Sequence, residues 1–284
     1  MGAQSVAKRT WLKMQQHDMK DMLKRPFRYA GLRRKHIAAG RMFCERHWLA
    51  TTVRHRKRQT GRILCYHSVG QSDWGVNDVS PAQFRRHIEL ALGANYRFLP
   101  ASDIARSGGN ARDLAITFDD GCKSVLTHAA PILRDYGLPW TFFPVSQWCD
   151  QSEREDAGAI LTWSEVEKLV ADGAEVGSHS ATHPDFGEIG HEQTLDELVS
   201  SRQAIERRIG IAPVTFAIPL GQSMNWTPFA ARAAQEAGYE IVYAQAEETR
   251  PNGTVSRTFV THFDNDRIFK ALLRGAYDCW EEWV

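Results

Sequence analysis

The sequence predicts an α/β protein whose parallel sheet closes, or nearly closes, into a barrel with its helices outside. Three observations predict it. Short apolar runs alternate with amphipathic stretches from Arg62 onward, no long Pro/Gly/Ser linker interrupts them, and polar residues follow several runs directly. With 284 residues, 43% of them hydrophobic, the chain can bury a sizeable core. No apolar run approaches the ~18–20 residues of a transmembrane helix, which excludes an integral membrane protein of helical type.

Ile63 to Tyr66 is a short apolar run ending at His67 and reads as a buried strand. Ser80-Pro81 caps a helix with Phe84, Ile88 and Leu92 on one face. Leu114 to Phe118 is a second strand and runs into Asp119-Asp120-Gly121. A helix through Val125, Leu126 and Leu133, bent at Pro131, closes at Gly137. Trp140 to Val145 is a third strand, followed by a polar rim loop from Gln147 to Ala157. Helix, strand and helix then cover Trp163 to Val170, Ala174 to Ser178 and Leu195 to Ile209. A strand at Val214 to Ile218, a helix at Pro228 to Ala237 and a strand at Tyr239 to Ala244 follow, and Arg257 lies in a last strand-like segment. The barrel body is therefore placed at 61–284.

Residues 1–60 differ in charge. They hold 16 Lys and Arg against 3 Asp and Glu, a balance of +13, while the rest of the chain carries −12. Trp11, Met14, Met22, Leu23, Phe27, Tyr29, Phe43 and Trp48 interleave with this charge, and Pro26, Gly31 and Gly40 break its helical spacing. A basic, partly helical extension follows, expected to be separable from the barrel up to residue 58. An anionic membrane surface is one fitting partner. A solvated helical extension is another reading, and the case for nucleic acid is weaker. Cys44, Cys65, Cys122, Cys149 and Cys279 form no CxxC pair, and the opening residues lack the apolar block of a standard secretory signal. Both point to a cytoplasmic protein, in contact with the inner face of the membrane if the basic segment binds it.

Chemistry in a parallel barrel collects where strands end. Here His67, the Asp119-Asp120 pair and His179, with His183 four residues on, follow such ends. Two imidazoles and one carboxylate make a metal site with an open position, as catalysis needs. Pro184 disfavours helix at His183, so a tight loop carries both histidines. The two aspartates point in different directions, which lets one bind metal and leaves the other free as a base. Asp-Asp-Gly alone is usually a turn and HxxxH alone is common, so only their joint placement carries weight.

Thr117-Phe118-Asp119-Asp120-Gly121 and His179-Ser180-Ala181-Thr182-His183-Pro184 resemble the first two motifs of the polysaccharide deacetylases, carbohydrate esterase family 4. Pro131-Ile132-Leu133 followed by Thr141-Phe142-Phe143 resembles the family too. The resemblance covers about Gly61 to the C-terminus. It implies a distorted (β/α) barrel of about seven parallel strands, one divalent metal, usually Zn2+, and removal of N-acetyl groups from an N-acetylhexosamine glycan. Asp120, His179 and His183 would hold the metal, and Asp119 would act as general base. The Cys122 backbone N–H would stabilise the oxyanion, and a protonated group must serve the amine leaving group.

The chain departs from the family in three places. Phe216-Ala217-Ile218-Pro219-Leu220-Gly221 puts Ala217 where the base-orienting Arg belongs, and Arg257 is the candidate replacement. Tyr243-Ala244-Gln245 occupies the region of the Trp-bearing fourth motif. The C-terminal Leu-x-His is missing, while Leu64-Cys65-Tyr66-His67 resembles it at the other end, as in the circularly permuted exopolysaccharide deacetylases. His67 is thus the expected general acid. His262, set before the polar stretch Asp264-Asn265-Asp266, is assigned to a surface loop. Two other readings stay open. One is hydrolysis of an acetyl ester or a non-sugar amide, and the other is a glycan-binding pseudoenzyme, favoured by the missing Arg.

Overall fold

The computed structural model describes residues 34–52, 58–150 and 157–281. By its contacts the chain divides into Met1–Glu45 with Trp283–Val284, and Arg46–Glu282. The described part of the first unit opens helix α1 (Arg34–Thr52), with Ile37 and Phe43 exposed and Arg41 paired with Glu45 at 2.9 Å. The aromatic and charged pattern read in residues 1–33 lies outside the described residues.

The second unit begins within α1, earlier than the change in charge at residue 60. Arg46 is fully buried there: its guanidinium holds both carboxylate oxygens of Asp264, donates to the Phe259 carbonyl at 3.2 Å and lies over the Tyr277 and Trp280 rings. Asp264 is therefore not on a surface loop. It is completely buried, accepts from the Thr261 N–H and hydroxyl at 3.1 Å each, and precedes Asn265, whose side chain caps helix α8 (Asp266–Leu273).

Seven parallel strands run in the order β7 (Glu175–Val176), β6 (Thr141–Phe142), β5 (Asp113–Phe118), β1 (Arg62–Tyr66), β10 (Val255–Phe259), β9 (Ile241–Gln245) and β8 (Thr215–Ala217). Strands β1 and β5 are buried at every position, as expected of a sheet covered on both faces. A parallel bridge between Ser178 and Phe216 brings the two ends together, with Ser178 donating to Thr215 at 3.0 Å and Ala217 to Ser178 at 2.9 Å. The result is a nearly closed, distorted (β/α) barrel. Its distortion is visible at β5, whose first residues pair with β4 (Arg97–Phe98) and whose last pair with β6. Ile63, Ala115, Ala217 and Tyr243 from four strands meet in one apolar cluster with Ile104 of helix α3 (Ala101–Ser107).

Register sets the site. Tyr66 pairs with Phe118 and Cys65 with Phe259, so β1, β5 and β10 end level with one another. The third strand is shorter than expected: Phe143 still donates to Phe118 at 2.8 Å, but Pro144 has no N–H to continue the ladder. Ser80 caps helix α2 (Pro81–Gly93) as expected, accepting from the Gln83 N–H. Its buried face is Phe84, His87, Ile88 and Ala91, whereas Leu92 is exposed. The bend at Pro131 takes the form of a π-helical turn, Val125–Ala129, before helix α4 (Ala130–Asp135). Of the rim loop, Trp148–Asp150 is one 3-10 turn and 151–156 lies outside the described residues.

Candidate active site

Asp119 is the last residue in register, its N–H donating to the Tyr66 carbonyl at 3.0 Å. The chain then turns through two left-handed residues, Asp120 (φ 68°) and Gly121 (φ 76°). This turn is what separates the two carboxylates, rather than strand alternation. A non-glycine residue held in that conformation stores strain, and such strain concentrates at functional sites. Gly121 packs its α-carbon side against Pro144, where a Cβ would come within 3.3 Å of the backbone.

Asp119 points to the barrel interior and forms a two-pronged ion pair with Arg257, both N···O distances being 2.6 Å. Both side chains are almost wholly buried. Burial pushes the Asp119 carboxyl up, but the Arg257 and His179 charges outweigh it and hold it below the usual carboxylate range. Arg257 thus stands where the absent Arg at Ala217 was expected to act. Ala217 contributes its carbonyl instead, which takes the His179 Nδ1 at 2.8 Å.

That contact makes Nδ1 a donor and turns Nε2 toward the cluster. Burial lowers the His179 imidazole's pKa, but the Asp119 and Asp120 carboxylates outweigh it and raise it, so Nε2 becomes a ligand by giving up its proton. Nε2 faces Asp120 Oδ1 at 3.5 Å, and His183 Nε2 faces the same oxygen at 3.6 Å. Asp120 Oδ1 is buried and has no hydrogen-bond partner. The other oxygen, Oδ2, accepts from the Trp74 indole at 3.0 Å. Burial drives the Asp120 carboxyl up, and His179, His67 and His183 more than reverse it, to a value far below the ordinary one. Burial and the neighbouring His179 push His183 down to about 4, so it stays neutral near pH 7. An orphaned carboxylate oxygen and two imidazole nitrogens, all within 4.8 Å, fit a divalent cation with an open position. The side chain of His183 is 19% exposed and that of His179 only 2%, so the site opens on the His183 side.

The expected tight loop carries the histidines. Ser180 and His183 are both left-handed, and the Ser180 hydroxyl accepts from the His183 N–H at 2.9 Å. Glu197 on helix α6 (His191–Ile209) secures this loop from behind. Its carboxylate accepts from the Ala181 and Thr182 N–H groups at 2.9 Å each and from the Thr182 hydroxyl at 2.5 Å. The sequence reading missed Glu197 and Trp74. Glu197 was findable, since an acid lies on the buried stripe Thr194, Glu197, Leu198, Ser201 and Ile205. Trp74 lies in a short 3-10 segment, and only the fold brings it to Asp120.

His67 follows β1 and is half-buried, its ring edge-on to Phe259 and its Nδ1 buried without a partner. Its ring, Cys65 Sγ and an Asp119 oxygen come within 4.8 Å of one another. Cys65 donates to Asp119 Oδ2 at 3.4 Å, and burial pushes its thiol well above the usual range. His262 is exposed and is held to the 3-10 segment Ser72–Asn77 by its N–H to the Val76 carbonyl at 3.0 Å and its Nδ1 to the Gly75 carbonyl at 3.1 Å. Cys122 is buried and bridges Ile160 immediately after the turn.

A nearly closed parallel barrel with an Asp-His-His cluster at its strand ends defines a class, that of barrels with a candidate metal centre. The comparisons narrow it. Residues 106–242, a little under half of the chain, match the family model "Polysaccharide deacetylase". The matched span includes Asp119, Asp120, His179 and His183, while His67 and Arg257 lie outside it. The chain is 26% identical over 159 residues to the peptidoglycan-N-acetylglucosamine deacetylase PgdA of Listeria monocytogenes, covering 54% of this chain and 30% of that protein. It is 29% identical over 103 residues to a chitooligosaccharide deacetylase of Sinorhizobium fredii, covering 36% of this chain and 43% of that protein. It therefore spans less than half the length of these relatives. Among solved structures, IcaB from Ammonifex degensii superposes with a TM-score of 0.64 at 20% identity, over 78% of this chain and 99% of that one. The Streptococcus pyogenes deacetylase PplD, in complex with acetate, gives 0.64 at 18%, over 76% and 97%. These two likenesses are of fold.

Proposed function

We propose that the chain is a metal-dependent hydrolase that removes N-acetyl groups from an N-acetylhexosamine-containing polysaccharide, oligosaccharide or lipid-linked glycan. The observation that carries it is the unpartnered Asp120 Oδ1 facing two imidazole nitrogens, beside a second carboxylate, Asp119, held ionised by Arg257. Asp120, His179 and His183 would hold the ion, Zn2+ by their donor types, and it would polarise the acetyl carbonyl and acidify water. Asp119 takes the proton of the attacking water. Arg257 keeps that carboxylate charged and fixes both its oxygens. The Cys122 backbone N–H donates to the developing oxyanion. His67 gives a proton to the departing amine, which leaves poorly as an amide anion. Trp74, bonded to Asp120, and Trp148, stacked 5.5 Å from His183, are half-buried and put aromatic surface beside the cluster, of a kind suited to a sugar ring. The Arg257 ion pair supports the hydrolase reading over the pseudoenzyme one, since the base is not left without its cation.

The test is acetate release from N-acetylglucosamine oligomers by protein stripped with chelator and reloaded with zinc. Zinc-dependent release of free amine is expected. Asp120→Ala loses the metal, while Asp119→Asn and His67→Ala keep it and lose about 10²–10⁴ in turnover. His262→Ala stays near wild type. Release from acetyl esters alone, or full activity in His67→Ala, overturns the assignment.

A further inference from the structure

One cluster of metal-ligating side chains is not used by the Asp120 centre. Cys65, His67 and Asp119 converge just inside the rim, their donor atoms all within 4.8 Å of one another. We propose that they form a second, inhibitory site for a thiophilic divalent cation. The inference rests on the reading of Asp119 and His67 as the groups that move protons, and it makes their neighbour Cys65 the regulatory element.

The geometry gives each ligand an available direction. Arg257 occupies one lone pair on each Asp119 oxygen, and a carboxylate oxygen has a second. On Oδ2 that second direction is already taken by the Cys65 S–H, at 3.4 Å. The thiol proton thus marks where an ion would sit between sulfur and oxygen. His67 completes the set with a ring whose Nδ1 is buried and unpartnered, an arrangement that costs free energy until something binds it. Binding would break the S–H bond, form a sulfur–metal bond and release one proton to solvent, with no change of oxidation state.

Selectivity follows from the donors. One sulfur, one imidazole and one carboxylate suit zinc, cadmium or cobalt, whereas calcium and magnesium prefer oxygen and take thiolate poorly. The Arg257 charge lies beside the site and weakens it, so it fills only after the Asp120 centre. Filling it ties up both Asp119 and His67. Excess zinc should then switch off an enzyme that the first zinc switches on.

Cobalt titration of the metal-stripped chain tests this directly. Cobalt in the Asp120 centre, which has no sulfur, gives visible d–d bands only. A second equivalent is expected to add a sulfur-to-cobalt charge-transfer band in the near ultraviolet and to suppress turnover. Cys65→Ser and Cys65→Ala, each rated against its own maximal turnover, should lose the band and shift zinc inhibition about 10–100-fold to higher concentration, the scale on which metal-site partners act. Binding of a single equivalent without the sulfur band, or unchanged zinc inhibition in both variants, overturns the second site. Loss of the first equivalent or of hydrolysis itself bears on the deacetylase reading instead, because the sulfur band reports Cys65 alone.

Discussion

Arg257 and Asp119 meet across 138 positions of sequence, and their pair fixes the protonation state of the proposed base. Burial alone would keep the carboxyl protonated to higher pH, and the adjacent Arg257 guanidinium is the main charge that reverses this. Since the folded value lies below the ordinary one, ionised Asp119 is secure above the usual carboxylate pKa and is lost only as pH falls through the lower, folded value. Arg257→Gln removes the reversal, so the acidic limb of the kcat/KM profile should move to higher pH. Its stability should drop by roughly 3–5 kcal/mol, the cost of leaving one partner of a buried pair uncompensated. Arg257→Lys should restore part of the charge effect but not the fork that orients both oxygens. An unmoved acidic limb in folded Arg257→Gln would separate Arg257 from the base.

Among the elements, α6 does for the histidine loop what β10 does for Asp119. The three hydrogen bonds from 181 and 182 to Glu197 hold a loop in which Ser180 and His183 are both left-handed. Glu197→Ala should therefore weaken zinc binding by about 10–100-fold, as loss of a supporting partner does at other metal sites. Far-ultraviolet circular dichroism should stay native, because α6 still packs through Leu198 and Ile205. Glu197→Gln, which keeps one acceptor oxygen, should fall between the two. Wild-type zinc affinity in Glu197→Ala, measured by competition with a chelating dye, would leave Glu197 a purely structural acid.

At the scale of the whole molecule, the basic segment and the barrel are not divided where the charge changes. Arg46 and Leu49 are buried, and Arg46 neutralises the buried Asp264. Deleting residues 1–33 should leave urea denaturation and acetate release near those of the full chain, while salt-sensitive binding to anionic vesicles is lost with the basic charge. Deleting residues 1–58 goes further: it strands Asp264 and should cost about 3–5 kcal/mol. Equal stability of the two truncations would show that Asp264 does not depend on Arg46, and equal vesicle binding by all three forms would end the membrane reading. Among the described residues no helix is long and apolar enough to cross a membrane.

The sequence by itself determined the barrel, the strand ends and the two acidic–histidine motifs, because these depend on local periodicity and on residues a few positions apart. It singled out Asp119, Asp120, His179, Arg257 and His67 by the short apolar runs they follow or lie in, and His183 by its spacing from His179. Only the tertiary structure decided what those residues touch. Asp120 diverges from Asp119 through a left-handed turn whose strain is held by surrounding packing. Trp74, Glu197 and the Ala217 carbonyl reach the site from distant elements, and a backbone carbonyl leaves no mark in sequence. Asp264 looked like a surface turn because Asp-Asn-Asp is polar, yet one arginine from α1 made its burial sustainable. Charge compensation acts through space, over distances that sequence separation does not encode, and that is why the Arg46–Asp264 pair had to wait for the fold.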